Sequence, residues 1–317
     1  MNKERFFEEV VAELRNRIAD GNLFTVETKE VMKTNDEKLH GVCICLADRT
    51  IAPTVYLEDI LPDDLNAETV KEVADQVLAI SACAYKDAPD IENMSMGYED
   101  IKDKLVVQLV DGDLNRERLK ELVYSPVENG FVMIPYIVLK EDMDGSMRAA
   151  VTKMMAKEFD YDVDKVMETA LLNTVEKCEP SFLSMGSMIG FDDMTRSSNP
   201  MKSDFNIDPN AGMYILTNSA RFNGASVMFY PEMAKRIGDV LEDNYYALPS
   251  SLHEFIILPA DGAPDLKDLQ DMVKEANRTV VDAKDVLSDR VFFFDRDREK
   301  LVEPKVKERN ADERGER

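Results

Sequence analysis

Apolar residues Phe6, Phe7, Val10, Val11, Leu14 and Ile18 recur at three- and four-residue spacing among polar ones. This pattern predicts an amphipathic helix over Asn2 to Asp20, ended by Gly21. From Phe24 the period drops to two. Phe24, Val26 and Thr28 lead into a polar turn at Thr34 to Lys38, and His40, Val42, Ile44 and Leu46 alternate on the way out, which predicts a hairpin. Ile51 to Leu57 reads as a third strand, placed at an edge by Pro53, whose nitrogen cannot donate to a ladder. Helical spacing returns over Asn66 to Ala84, and further helices are predicted at 98–109, 115–123, 146–159 and 163–178, the last stopped by Pro180. The apolar run Phe131 to Leu139 reads as a buried strand.

Periodicity is lost from Asp192 to Gly212, which is rich in Ser, Asn, Asp and Pro and reads as a linker or mobile loop. Beyond it, Met213 to Thr217 and Ala225 to Tyr230 are expected to pair as a hairpin, and Pro231 to start a helix reaching about Glu242. Tyr245 to Leu248 and Glu254 to Leu258 form a third hairpin across Pro249-Ser250-Ser251-Leu252. Asp265 is the expected cap of a helix over Leu266 to Ala276, followed by a short helix at Ala283 to Leu287 and a strand at Val291 to Phe294. Hairpins connected through helices predict an α+β fold with antiparallel sheets in two halves. The expected division is 1–190, a linker at 191–212, a second region at 213–302 and a disordered charged tail at 303–317.

Charge narrows the classes of function. Lys and Arg number 39 against 63 Asp and Glu, a formal net charge of −24 that repels nucleic-acid backbones and anionic lipid headgroups. Groove-type nucleic-acid binding and membrane association are therefore not expected. No apolar run approaches the roughly 18 residues of a spanning helix, and the N-terminus carries carboxylates where an export signal needs basic and then apolar residues. A cytoplasmic protein is expected, with its four cysteines as reduced, buried thiols.

No cofactor or metal is expected either. The cysteines lack zinc-site spacing, and Gly-x-x-x-x-Gly-Lys and Gly-x-Gly-x-x-Gly are both absent. Glu141 to Gly145 fails as a calcium loop, because aligning Gly145 to the sixth position puts Lys140 first and Val151 twelfth, where carboxylates are needed.

The most suggestive chemistry is at Pro249 to Glu254, where Ser251, His253 and Glu254 bring a hydroxyl, an imidazole and a carboxylate within four residues. Nucleophilic catalysis needs the base within reach of the hydroxyl and a third group orienting the base. Along a strand Ser251 and His253 share a face while Glu254 points to the other, so the local triad is geometrically weak and a turn with locally bonded serines is the simpler reading. The other histidine, His40, alternates with Val42, Ile44 and Leu46 and reads as an imidazole at a core edge. A metal shared by His40 and His253 has no spacing to support it.

The strings Leu39-His40-Gly41, Ile51 to Leu57 (IAPTVYL), Met213 to Asn218 (MYILTN), Leu248 to Glu254 (LPSSLHE) and Val286 to Asp289 (VLSD) together resemble an uncharacterised bacterial family. That family is catalogued as a domain of unknown function and is often met on mobile elements of gut anaerobes. The resemblance runs from about Phe6 to Phe294 and implies a bacterial cytoplasmic protein, with no activity to carry over. The family pattern commonly has a shorter connection before the Met213 strand and often lacks an extension like 303–317.

The leading expectation is thus a non-catalytic intracellular interaction or accessory protein of a mobile element, its acidic face engaging a basic protein partner. A hydrolase centred on Ser251 and His253 is the second reading. A small-molecule sensor with its ligand between the two halves is the third.

Overall fold

A computed structural model of the chain describes residues 1–18, 23–47, 52–87, 96–142, 145–185 and 211–305. The chain divides into two compact units, one formed by Met1–Ile101 with Val138–Ala149 and the other by Lys102–Ile137 with Ala150–Arg317. This differs from the division expected at 191–212. The strand that precedes that segment and the strand that follows it pair with each other in one sheet. The segment itself lies outside the described residues except at its last positions, and the tail does so from 306 onward.

In the first unit, helices α1 (Lys3–Arg17) and α2 (Ala67–Asp87) pack on an antiparallel sheet of order β1-β2-β3, with β1 at Phe24–Met32, β2 at Lys38–Leu46 and β3 at Thr54–Tyr56. The predicted stripe of α1 is the buried one. Phe6, Phe7, Val10 and Leu14 meet Val42 and Ile44 of β2 and Val70, Val73, Ala74 and Val77 of α2. Both helices begin on asparagine caps. The side chain of Asn2 accepts the N–H of Arg5, and that of Asn66 accepts those of Glu68 and Thr69, satisfying donors the first turn leaves unpaired. The edge position expected for the strand after Pro53 is observed in β3.

In the second unit, β8 (Pro180–Ser184), β9 (Tyr214–Asn218), β10 (Tyr245–Ser251), β11 (Glu254–Pro259), β12 (Phe292–Asp295) and β13 (Lys300–Val302) form an antiparallel sheet of order β13-β12-β10-β11-β9-β8. One face carries Leu248, Leu258 and Val291 against Leu269 and Val273 of the 266–279 helix. Towards the other face, Phe255 and Phe292 meet Phe131, with ring centroids 6.3 and 5.2 Å apart.

Phe131 opens β6 (Phe131–Asp142), the centre of a further antiparallel sheet with β4 (Leu105–Asp111), β5 (Ser125–Pro126) and β7 (Gly145–Ala150). The helix at 163–177 covers the outer edge of β4. Thr174 Oγ1 accepts the Val107 N–H at 2.8 Å, and Asn173 donates to the carbonyls of Lys102 and Leu105. Side chains thus satisfy backbone groups that an uncovered edge would expose.

The fold is α+β with antiparallel sheets, as expected, but several elements differ. Tyr98–Ile101 is one helical turn, α3, followed by a 3-10 turn at Lys102–Lys104, and the rest of the predicted 98–109 helix falls in β4, all seven of whose residues are buried. A strand buried on both faces shows no alternation, so its apolar run imitates a helix. The predicted 115–123 helix is a series of turns around Arg118–Lys120, and 146–159 splits into β7 and α4 (Lys153–Glu158), which Thr152 caps. The following helix is α5 (Val163–Lys177), capped by Asp162. Residues Gly224–Phe229 form a 3-10 turn instead of a strand, leading into α6 (Met233–Leu241). The expected helix after Asp265 is α7 (Leu266–Thr279), although the Asp265 side chain makes no capping bond. All four cysteines are free thiols, yet only Cys43 is buried and Cys83 is exposed, against the expectation that all would be buried.

Candidate functional site

The β10–β11 hairpin reverses through Leu252 and His253, with Ser251 opposite Glu254 and a register shift between Pro249 and Ser251. The three candidate residues are brought to one corner but are not wired as a relay. Ser251 Oγ accepts the backbone N–H of His253 at 3.1 Å, and Ser250 Oγ bonds Glu254 Oε1 at 3.2 Å. The His253 ring turns elsewhere. Its Nδ1 accepts the N–H of Asn223 at 3.0 Å, and its face stacks on Phe222 with centroids 5.2 Å apart.

An amide can only donate, so Nδ1 holds its lone pair and the neutral ring carries its proton on Nε2, which lies 3.9 Å from Asp285 Oδ1. A general base for Ser251 needs a free ring lone pair aimed at the hydroxyl, whereas the one available here is engaged by Asn223.

The same corner gathers two of the distinctive strings, 213–218 and 248–254, and the residue that precedes a third. Thr217 Oγ1 donates to the His253 carbonyl at 2.7 Å, Asn218 exchanges hydrogen bonds with Phe222, and Leu252 bonds Asp285 O through its N–H and the Ala225 N–H through its carbonyl. Gly224 sits where a Cβ would lie 2.5 Å from His253 O and 2.7 Å from Asn218 N, so a side chain has no space. Asn223, before it, takes a left-handed conformation with φ 52°, one that asparagine tolerates better than most residues. These bonds start the 224–229 turn in a set direction.

That turn ends on a cavity of about 430 Å³. Met228, Phe229, Tyr230, Met233, Phe294 and Leu301 supply apolar walls, and Glu128, Glu232, Glu299 and Lys235 supply the charge. Tyr230 is fastened to the end of α5, its O–H shared between the carbonyls of Thr174 and Cys178 at 3.3 Å each. Burial holds this phenol well above its ordinary pKa, so it is a neutral donor.

Three glutamates and one lysine are among the cavity's lining residues. Lys235 Nζ pairs with Glu299 Oε1 at 2.6 Å and also feels the charge of Glu232, while the Glu128 and Glu232 residues are exposed. Glu232 and Glu299 both hold left-handed backbone, with φ of 61° and 52°, which a glutamate seldom adopts. Among the described residues, the walls contain no serine, cysteine or histidine. A pocket with partly apolar walls and glutamates in its lining suits a cationic group on an apolar stem.

Sequence reasoning did not find this cavity, because its residues come from four separated stretches and none is marked by a motif. It also missed a buried ionic cluster in the same unit. Arg290 Nη2 meets Asp111 Oδ2 at 2.8 Å, Ser288 Oγ donates to the same oxygen at 2.7 Å, and the guanidinium lies over the rings of Phe131 and Phe292. Ser288 belongs to the VLSD string, which was the available signal.

His40 belongs to the first unit. Glu58 accepts its backbone N–H at 2.9 Å and its Nδ1–H at 2.8 Å, and Phe7 packs against its ring. For Glu58, burial acts upward, but the two His40 bonds and nearby Lys3 outweigh it and bring the carboxyl below its usual range. Among the described residues, no cluster of three His, Cys, Asp or Glu is placed to hold a metal ion, and no helix is long and apolar enough to cross a membrane.

No curated protein and no solved structure matches the chain. Residues 3–296 match the model of DUF5688, a family of unknown function, so both histidines, the 248–254 corner, the VLSD string and most of the cavity wall fall inside one family unit. The chain belongs to this family of unknown function.

Proposed function

We propose that this is a non-catalytic binding protein whose cavity in the second unit receives a basic side chain of a protein partner. The observation that carries the reading is the combination of apolar walls with three carboxylates and a single, already paired, ammonium. A lysine or arginine buries its stem against Phe229 and Leu301 while its charged head meets Glu128 and Glu232. The hydrolase reading draws less support, since the His253 lone pair is engaged by a backbone amide. A bacterial cytoplasmic setting and an accessory role on a mobile element accord with this proposal and with the net charge of −24, which also speeds encounter with basic partners.

Peptides pairing one Lys or Arg with flanking apolar residues test the reading by titration against the full chain at low and moderate salt. Binding should be saturable, and the Glu128→Gln/Glu232→Gln double variant should weaken it roughly three- to tenfold, with a shallower salt dependence. Absence of binding, or affinity unchanged in a folded double variant, overturns the proposal.

A further inference from the structure

Strand β1 is an edge of the first unit's sheet, nine residues long, and is exposed from Phe24 to Glu30 except at Val26, which packs on the core. Its register with β2 determines which backbone groups are free. The N–H of Ala47 bonds the Leu23 carbonyl at one end of the ladder, and the N–H of Lys33 bonds the Glu37 carbonyl at the other. Both are directly opposed pairs in the register that sets Phe24 against Leu46 and Met32 against Lys38. Hydrogen-bonded pairs alternate in an antiparallel ladder, so Thr25, Glu27, Lys29 and Val31 bond inward. Phe24, Val26, Thr28, Glu30 and Met32 therefore point their N–H and C=O groups away from β2.

We infer that β1 is a homodimer interface, pairing antiparallel with β1 of a second copy about a two-fold axis at Thr28. The sequence of the strand, Phe-Thr-Val-Glu-Thr-Lys-Glu-Val-Met, selects that partner. Thr28 is one of the outward-bonding residues, so the axis falls on a hydrogen-bonded pair and the free groups of both copies meet in phase. In this register Glu27 lies opposite Lys29 of the second copy, twice over, in the closer, non-hydrogen-bonded pairs where side chains interact most.

Phe24 then meets Met32, and Thr25 meets Val31. Glu30 keeps Lys38 of its own hairpin at 3.7 Å. Charged residues on an edge strand ordinarily prevent pairing with other chains. Here their order makes them complementary to their own image, and the two three-stranded sheets join into one of six.

Sedimentation equilibrium of the full chain tests this. The wild type should be a dimer. Thr28→Pro removes one outward N–H at an edge position where proline is tolerated, and should give monomers with unchanged far-UV circular dichroism. Lys29→Glu sets two pairs of carboxylates against each other and should raise the dimer Kd roughly ten- to a hundredfold. The Glu27→Lys/Lys29→Glu double variant restores the pairs with reversed polarity and should recover the dimer. A monomeric wild type, a dimer indifferent to Thr28→Pro, or a double variant no better than Lys29→Glu alone overturns the inference.

Discussion

The backbone N–H of Asn223 donates to Nδ1 of His253 across 3.0 Å, joining the start of the 224–229 turn to the tip of the β10–β11 hairpin. Asn223 is nearly buried, so loss of this acceptor leaves a donor without water to replace it. His253→Ala should lower stability by about 1–3 kcal/mol, whereas His253→Asn, whose Oδ1 can stand near the Nδ1 position, should cost less. Guanidinium unfolding midpoints of the two variants check this. Equal losses for both would show that ring stacking on Phe222, and not the acceptor, holds the corner.

Gly224→Ala places a methyl group against the Thr217 hydroxyl and the backbone of His253 and Asn218. Two of these contacts are main-chain atoms in the sheet and its hairpin, so the turn must move instead. The variant should be destabilised by about 2–4 kcal/mol, and peptide binding at the cavity should weaken even where the chain remains folded. Thermal melts and titrations on one preparation separate the two effects.

The pair formed by Asp111 and Arg290 makes an unequal prediction for its two members. Only 4% of the Asp111 side chain is exposed, against 24% for Arg290, so removing the guanidinium strands the more deeply buried charge. Arg290→Met should cost roughly 3–5 kcal/mol. Asp111→Asn should cost less, because Arg290 keeps the Asn129 carbonyl at 2.7 Å. The ranking of the two variants in urea melts is the test.

Acid stability should depend on Glu58. Its carboxyl titrates below the ordinary glutamate value in the folded chain, so the unfolded state binds the proton more readily. The resulting stabilisation is complete above the unfolded value of about 4.3 and is lost as pH falls through the lower folded value. Melting temperatures of the wild type should therefore fall across that acidic window. Glu58→Gln should start lower and decline less steeply, and parallel curves for the two proteins would contradict the assignment.

The parts of this fold that were legible from the sequence are those with one wet and one dry side. Helix α1 shows its stripe from Phe6 to Leu14, and the β1–β2 hairpin shows its alternation, because solvent imposes a period on elements half exposed to it. Strand β4 has no wet side. Its Leu105 to Asp111 run carried only a preference for branched residues, at Val106, Val107 and Val110, and reads as a helix continuing from Tyr98.

Residues 224–229 look like a strand until Gly224 is seen against Thr217 and His253, a constraint written 7 and 29 positions away. The sequence reads a hairpin turn over Pro249 to Leu252, and the hairpin is there, but Pro249 to Ser251 belong to β10 and the reversal falls at Leu252 and His253. What the string does not reveal is the direction of the imidazole, which Asn223 decides.

The contact between Asp111 and Arg290 also has a consequence in time. The two residues are 179 positions apart, so a ribosome adding roughly 5–20 residues per second delivers the guanidinium about ten to forty seconds after the carboxylate. Throughout that interval the sheet built on β4 and β6 lacks both its counter-ion and the aromatic strand β12. The first unit has no such wait, since its last segment, Val138–Ala149, is made while most of the second is still to be translated. A chain released before Arg290 therefore carries every segment of its first unit and an unclosed second one, and should be recognised and degraded from that end.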